Sequence, residues 1–142
     1  MAPLPALRWD TPVPGQTPHA DLAGLLARAG VTPPPTAAAL ERGERERPAG
    51  GFQHLTLARS GDTLVGMARL EVPRSHERPG WFGVALEVDP RWQDTGLSAA
   101  LWQRAEAALP SQLPRRVLTR APEGSWQESF FRERGFLEHE RM

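Results

Sequence analysis

The chain has 142 residues, in which 17 arginines balance 17 acidic residues to a formal net charge of zero. That length suits a single domain spanning 1–142 with one core, and the charge balance excludes a general nucleic-acid or membrane-surface binder, which needs a basic excess. Lys, Ile, Asn, Tyr and Cys do not occur, so a disulfide framework, a thiolate nucleophile, a cysteine zinc site and a tyrosine general acid are all excluded.

Residues 1–18 carry five prolines and a short β-like piece around Leu4 to Trp9. Proline has no amide donor, so a strand here belongs at a sheet edge. His19 to Ala29 reads as a helix: Leu22, Leu25, Leu26 and Ala29 fall on one stripe, and Gly30 stops it. Thr36 caps a second helix, TAAALERGERER, whose charged end reads as a solvated face.

Three strands follow. Residues 51–59 carry Phe52, Leu55 and Leu57, and Arg59-Ser60-Gly61-Asp62 turns the chain into residues 63–72. After a charged loop at 73–80 comes 81–88, WFGVALEV, with Phe82, Val84, Leu86 and Val88 on one face.

Asp89-Pro90 ends that strand, and Thr95 to Leu109 reads as the strongest helix, striped by Leu97, Leu101, Ala105 and Ala108. A short strand is expected over Arg116 to Arg120. Ser125 caps the helix WQESFFRER in a capping box with Glu128, and Gly135 ends it. Phe136 to Met142 reads as a last strand. Strands alternating with helices predict a mixed α/β sheet with helices packed on it.

The chemistry points to one stretch, Leu86 to Leu101. A strand ends, a loop turns, and a helix begins at Gly96 among small residues. Free amides and the helix dipole there make an anion site. Gly96 lets a phosphate approach the backbone. Ser98 and Ala99 leave that approach open, and Thr95 and Ser98 offer hydroxyl donors. Neither Gly-x-x-x-x-Gly-Lys nor Gly-x-Gly-x-x-Gly occurs.

This stretch resembles the acetyl-CoA motif of the GNAT superfamily of N-acetyltransferases, Gln/Arg-x-x-Gly-x-Gly/Ala after a Val-x-Pro strand end. Gln93, Gly96 and Ser98 hold the marked positions, with Val88 and Pro90 before them. Phe130-Phe131-Arg132-Glu133-Arg134-Gly135-Phe136 is similar to the family's helix-to-strand segment. The resemblance covers about residues 5–142 and extends to the element order.

The resemblance implies a six- to seven-stranded, mostly antiparallel sheet with a splayed strand pair, flanked by four helices. It implies acetyl-CoA as co-substrate and transfer of its acetyl group to an unidentified small-molecule or peptide amine. Backbone groups of Leu86 and Val88 would take the pantetheine, and Gln93, Asp94, Thr95, Gly96, Leu97, Ser98 and Ala99 the pyrophosphate. Phe131 would pack near the sulfur.

Three positions depart from the family pattern. Asp94 stands where Gly or a basic residue is frequent, Phe82 where a glutamate base is frequent, and Phe131 where a tyrosine acid is frequent. Candidate bases are then Glu87 and His54, with His76 within reach of a substrate. Trp81, Trp92 and Trp102 read as packing. The four histidines are scattered, so no metal site is expected.

No apolar run reaches about 18 residues, so no membrane span is expected. The N-terminus lacks a signal-peptide pattern, which makes the cytoplasm the expected location. The family closes its sheet with a further strand that this chain does not reach. A homodimer or a second GNAT-like domain is therefore expected to lend one, as in the first half of a tandem-domain member. The alternative function is a catalytically degenerate domain serving as a scaffold or an acyl-CoA-binding half.

Overall fold

The computed structural model describes residues 6–13, 15–46, 53–71, 81–109 and 116–136. Its elements are β1 (Arg8–Asp10), α1 (His19–Arg28), α2 (Ala37–Arg45), β2 (Gln53–Ser60), β3 (Thr63–Glu71), β4 (Trp81–Val88), a 3-10 turn (Pro90–Trp92), α3 (Leu97–Ala108), β5 (Arg116–Thr119) and α4 (Trp126–Glu133). The strands form one sheet in the order β1-β2-β3-β4-β5. The first three pairings are antiparallel and β4–β5 is parallel. β1, with Pro12 two residues beyond its end, lies at an edge of the sheet.

Helix ends follow local chemistry. The Thr36 hydroxyl accepts from the amide of Ala39, and that of Ser125 from the amide of Glu128. Gly30 and Gly135, at φ +89° and +90°, end α1 and α4 in the left-handed conformation that glycine adopts freely.

Two apolar layers sandwich the sheet. On one face α1 contributes Leu22, Leu25 and Leu26, against Leu55, Leu57, Leu64 and Met67. On the other, Leu97, Leu101, Trp102 and Ala105 of α3 and Phe131 of α4 pack on Ala58, Ala68, Leu70, Phe82, Val84, Leu86 and Val88. Gly66 brings α3 close: a Cβ there would lie 2.8 Å from Leu101 Cδ1 and 3.1 Å from Leu97 Cδ2.

A bulge breaks the β2–β3 register. Ala58 pairs with Gly66 but Arg59 with Leu64, leaving Val65 unpaired. An extra residue reverses the alternation of faces beyond it, so Leu64 and Met67 share the α1 side while Val65 joins the α3 side.

Five strands stand among the described residues where six to seven are expected. The strand expected after Phe136 lies outside the described residues. Phe136 itself packs on Phe131 and Trp102, at ring-centroid distances of 4.8 and 5.8 Å.

Candidate active site

The β4–β5 seam pairs Trp81 with Arg116 through Val84 with Thr119 and goes no further. Beyond it, nothing among the described residues pairs with β4 on that side up to Val88. The direction of its backbone groups follows from strand alternation. The Asp89 amide donates to Val65 O, on the β3 side. Carbonyls of even-numbered residues face the other way, for Val84 O accepts from the Thr119 hydroxyl at 2.9 Å and Leu86 O from Gln127 Nε2 at 3.4 Å. Leu86 and Val88 therefore turn their main chain into the opening.

The opening leads to the loop before α3. Asp89 is buried and anchors it. Its Oδ2 accepts from Arg28 Nε at 2.9 Å and its Oδ1 from the Arg91 amide at 3.0 Å. Burial pushes the Asp89 carboxyl up, but the Arg91 amide and the Arg28 guanidinium outweigh it and hold it below the usual range. Arg28 also donates to Leu64 O at 2.8 Å, which ties α1, β3 and the end of β4 together.

The loop then adopts two left-handed residues, Asp94 at φ +66° and Gly96 at φ +89°. Such alternation turns successive amides toward one side, a concavity suited to anions. Asp94 thus holds the backbone shape that glycine would give, with its side chain exposed. The expected helix start at Thr95 is corrected to Leu97. Gly96 is the non-helical N-cap and makes no side-chain cap bond. The Thr95 hydroxyl donates to Trp92 O, within the loop itself. Leu97 is fully buried, so its part in an anion site is its main chain alone. Gln93 and Ser98 are half-buried and Ala99 is exposed at the mouth of the loop.

On the α1 side of the sheet, β3 and β4 present Met67, Arg69 and Glu71 beside Glu87, Ala85 and Gly83. Glu87 points away from Leu86 and Val88, as expected. Gln127, in the first turn of α4, donates to its Oε1 at 2.7 Å. Burial pushes the Glu87 carboxyl up, and the Gln127 hydrogen bond only partly opposes it.

A cleft of about 230 Å3 opens on the same face, between α1, α2 and the sheet. Its floor includes Gln53, Leu55, Arg69 and Glu71, and its wall Thr17, His19 and Glu44. His19 Nε2 and the Gly15 amide hold the two Glu44 oxygens at 3.1 and 2.8 Å. Burial raises the Glu44 carboxyl, but these partners and Thr17 bring it below the usual range.

The other predicted residues lie elsewhere. His54 pairs with Leu70 and bonds the Thr56 hydroxyl at 3.2 Å. It therefore lies on the α3 face, across the sheet from Glu87 and the cleft. Phe131 is 2% exposed, stacked edge-on with Trp102 at 5.7 Å, so its surface is spent in the core rather than offered at the opening. His76 lies outside the described residues. Trp102 and Trp92 are packing residues.

Gln127 and Arg69 were not anticipated. Each reads as an ordinary polar residue in its own element, and only the tertiary pairing brings it to the site.

The model of the Acetyltransferase (GNAT) family matches residues 21–136. A search of curated protein sequences returned no match. Among solved structures, a protein of meticillin-resistant Staphylococcus aureus described as a probable acetyltransferase is 17% identical with TM-score 0.72, covering 95% of this chain and 92% of that one. AAC(6')-Iy, solved with the bisubstrate analog CoA-S-monomethyl-acetylneamine, is 18% identical with TM-score 0.67, covering 95% of each chain. An aminoglycoside acetyltransferase from an uncultured soil metagenomic sample, solved with trehalose, is 17% identical with TM-score 0.69, covering 96% and 91%. These likenesses show the fold. With the family model matched over residues 21–136, on a sheet whose β4–β5 pairing stops short of a left-handed loop and a helix N-terminus, this chain belongs to the acetyltransferase (GNAT) family.

Proposed function

We propose that this protein is an acyl-CoA-dependent N-acetyltransferase that moves an acetyl group from acetyl-CoA to a small-molecule or peptide amine. The observation that carries the reading is the end of β4–β5 pairing at Val84 and Thr119. It leaves the Leu86 and Val88 main chain facing an opening that runs to the free amides of α3.

The parts fit an acyl-CoA. Pantetheine carries amides, which complement the edge groups of Leu86 and Val88. A pyrophosphate complements the amides of Gln93 to Ala99, since α3 has no side-chain cap of its own. The thioester supplies an activated acetyl group. The amine nitrogen bonds to the acetyl carbon, the C–S bond breaks, and the thiol and the amide are the products. Glu87 takes the proton that the ammonium must lose. Its carboxyl, raised by burial, is a stronger base than an exposed glutamate.

The test is calorimetric titration of the protein with acetyl-CoA, repeated with Gly96→Glu. Glutamate disfavours the left-handed backbone and puts a carboxylate in the anion site. Micromolar binding, about −8 kcal/mol, that the substitution abolishes is the expected result. No binding at millimolar acetyl-CoA would sink the reading.

A further inference from the structure

We infer that the amine acceptor carries a carboxylate, and that Arg69 on the floor of the α1–α2 cleft receives it. The inference deepens the transferase reading by naming the acceptor class.

Arg69 is the observation that demands a partner. Its Nε is buried and makes no hydrogen bond. Its guanidinium also forms none of the ion pairs among the described residues. Buried guanidinium donors are nearly always matched, because leaving water without a partner is costly. The acids of the cleft do not supply the match. Both oxygens of Glu44 are taken by His19 and Gly15, and neither Glu44 nor Glu71 is ion-paired to Arg69 among the described residues. An anion with two oxygens in a plane is the shape a guanidinium fork holds best.

The register then says where the amine goes. Arg69 pairs across β3–β4 with Ala85. Glu87 follows two residues along the same face, about 7 Å further on at strand spacing. A carboxylate held on Arg69 therefore leaves an amine a few bonds away pointing toward Glu87 and the β4–β5 opening. The ammonium meets Glu87 at the end of this path, so both ends of a zwitterion find opposite charge. Size agrees. The cleft of about 230 Å3 falls below the roughly 300–1,000 Å3 of drug-sized sites. An amino acid or the end of a peptide fits it better than a three-ring aminoglycoside.

The experiment is a set of binding titrations with coenzyme A present, so that no turnover occurs. The probes are the standard L-amino acids, their α-carboxamides and sisomicin, each tested on the wild type, Arg69→Met and Arg69→Lys. At least one amino acid is expected to bind, with its carboxamide weaker by about tenfold or more. Arg69→Met should erase that preference while acetyl-CoA affinity and melting temperature hold, and Arg69→Lys should restore part of it. Equal binding of acid and amide overturns the inference, as does tightest binding of sisomicin insensitive to Arg69→Met, or no amino-acid binding at millimolar concentration. Acetyl-CoA affinity on the same samples separates the two proposals. If it is present without acid preference, the acceptor class falls and the transferase stands. Acid preference without acetyl-CoA binding does the reverse.

Discussion

Gln127 Nε2 donates to Glu87 Oε1 across 2.7 Å, so the first turn of α4 holds the one carboxylate that β4 presents on its cleft face. The contact joins residues 40 apart in sequence. Burial raises the Glu87 carboxyl and Gln127 opposes the rise. Gln127→Ala should therefore raise it further. Glu87 must be ionised to act as base, so the acid limb of the kcat/KM profile should move to higher pH in that variant. Glu87→Gln should lose about 10²- to 10⁴-fold in kcat. Linkage gives the second readout. A carboxyl raised on folding contributes stability only in its neutral form, present at low pH and lost as pH rises through the folded pKa. Glu87→Gln should thus melt no lower than wild type at neutral pH, and relatively higher as pH increases.

Asp94 occupies a left-handed position at φ +66° with its carboxylate exposed beside the proposed pyrophosphate site. Asp94→Gly keeps that backbone and removes a like charge. Acetyl-CoA should bind several-fold tighter, with the gain shrinking in salt. Stability should change by less than about 1 kcal/mol, since relief of the left-handed strain is offset by a freer unfolded chain. Asp94→Val should lose both affinity and stability, because a β-branched residue resists that conformation.

Asp89 ties the end of β4 to Arg28 and to the following loop. Asp89→Asn should cost about 1–3 kcal/mol at neutral pH, because a charged hydrogen bond is lost in a buried setting. The sign with pH is fixed by its lowered carboxyl. That stability is present above the ordinary aspartate pKa and disappears as pH falls through the folded one. Chemical denaturation from pH 7 down to pH 3 should show the wild type losing its advantage over the variant.

Gly66 lies under α3, where a Cβ would sit 2.8 Å from Leu101 Cδ1. Leu97 and Leu101 are fully buried and have nowhere to retreat. Gly66→Ala should destabilise the protein by about 1–3 kcal/mol. It should also weaken acetyl-CoA binding by displacing the start of α3, and melting curves with and without acetyl-CoA would read both effects.

Much of the fold is legible in one-dimensional patterning. Phe82, Val84, Leu86 and Val88 alternate and all four are buried. The stripe Leu22, Leu25 and Leu26 likewise meets the sheet, and Ser125 and Thr36 cap the helices they precede. What is not legible depends on pairing between distant segments. The bulge at Val65 is a property of two strands together and leaves no mark on either. Arg69 reads as an ordinary charged strand residue until the register sets it in a cleft. His54 looks equivalent to Glu87 as a base until strand parity puts it on the opposite face. Gly96 marks the loop in sequence, but the left-handed turn at Asp94 does not follow from an aspartate.

The parallel seam between β4 and β5 is four pairs long, against eight in β2–β3, six in β3–β4 and three for the edge strand β1 on β2. A short seam closed through a long crossover is a place where a domain opens in sub-global fluctuations. β5 and α4 should then exchange their amides as one cooperative unit while the hairpins under the cleft stay protected. A ligand bridging β4 and the start of α3 raises the free energy of that opening. Slowed exchange at Leu118 and Thr119 would therefore report occupancy of the opening directly, without any chemical turnover.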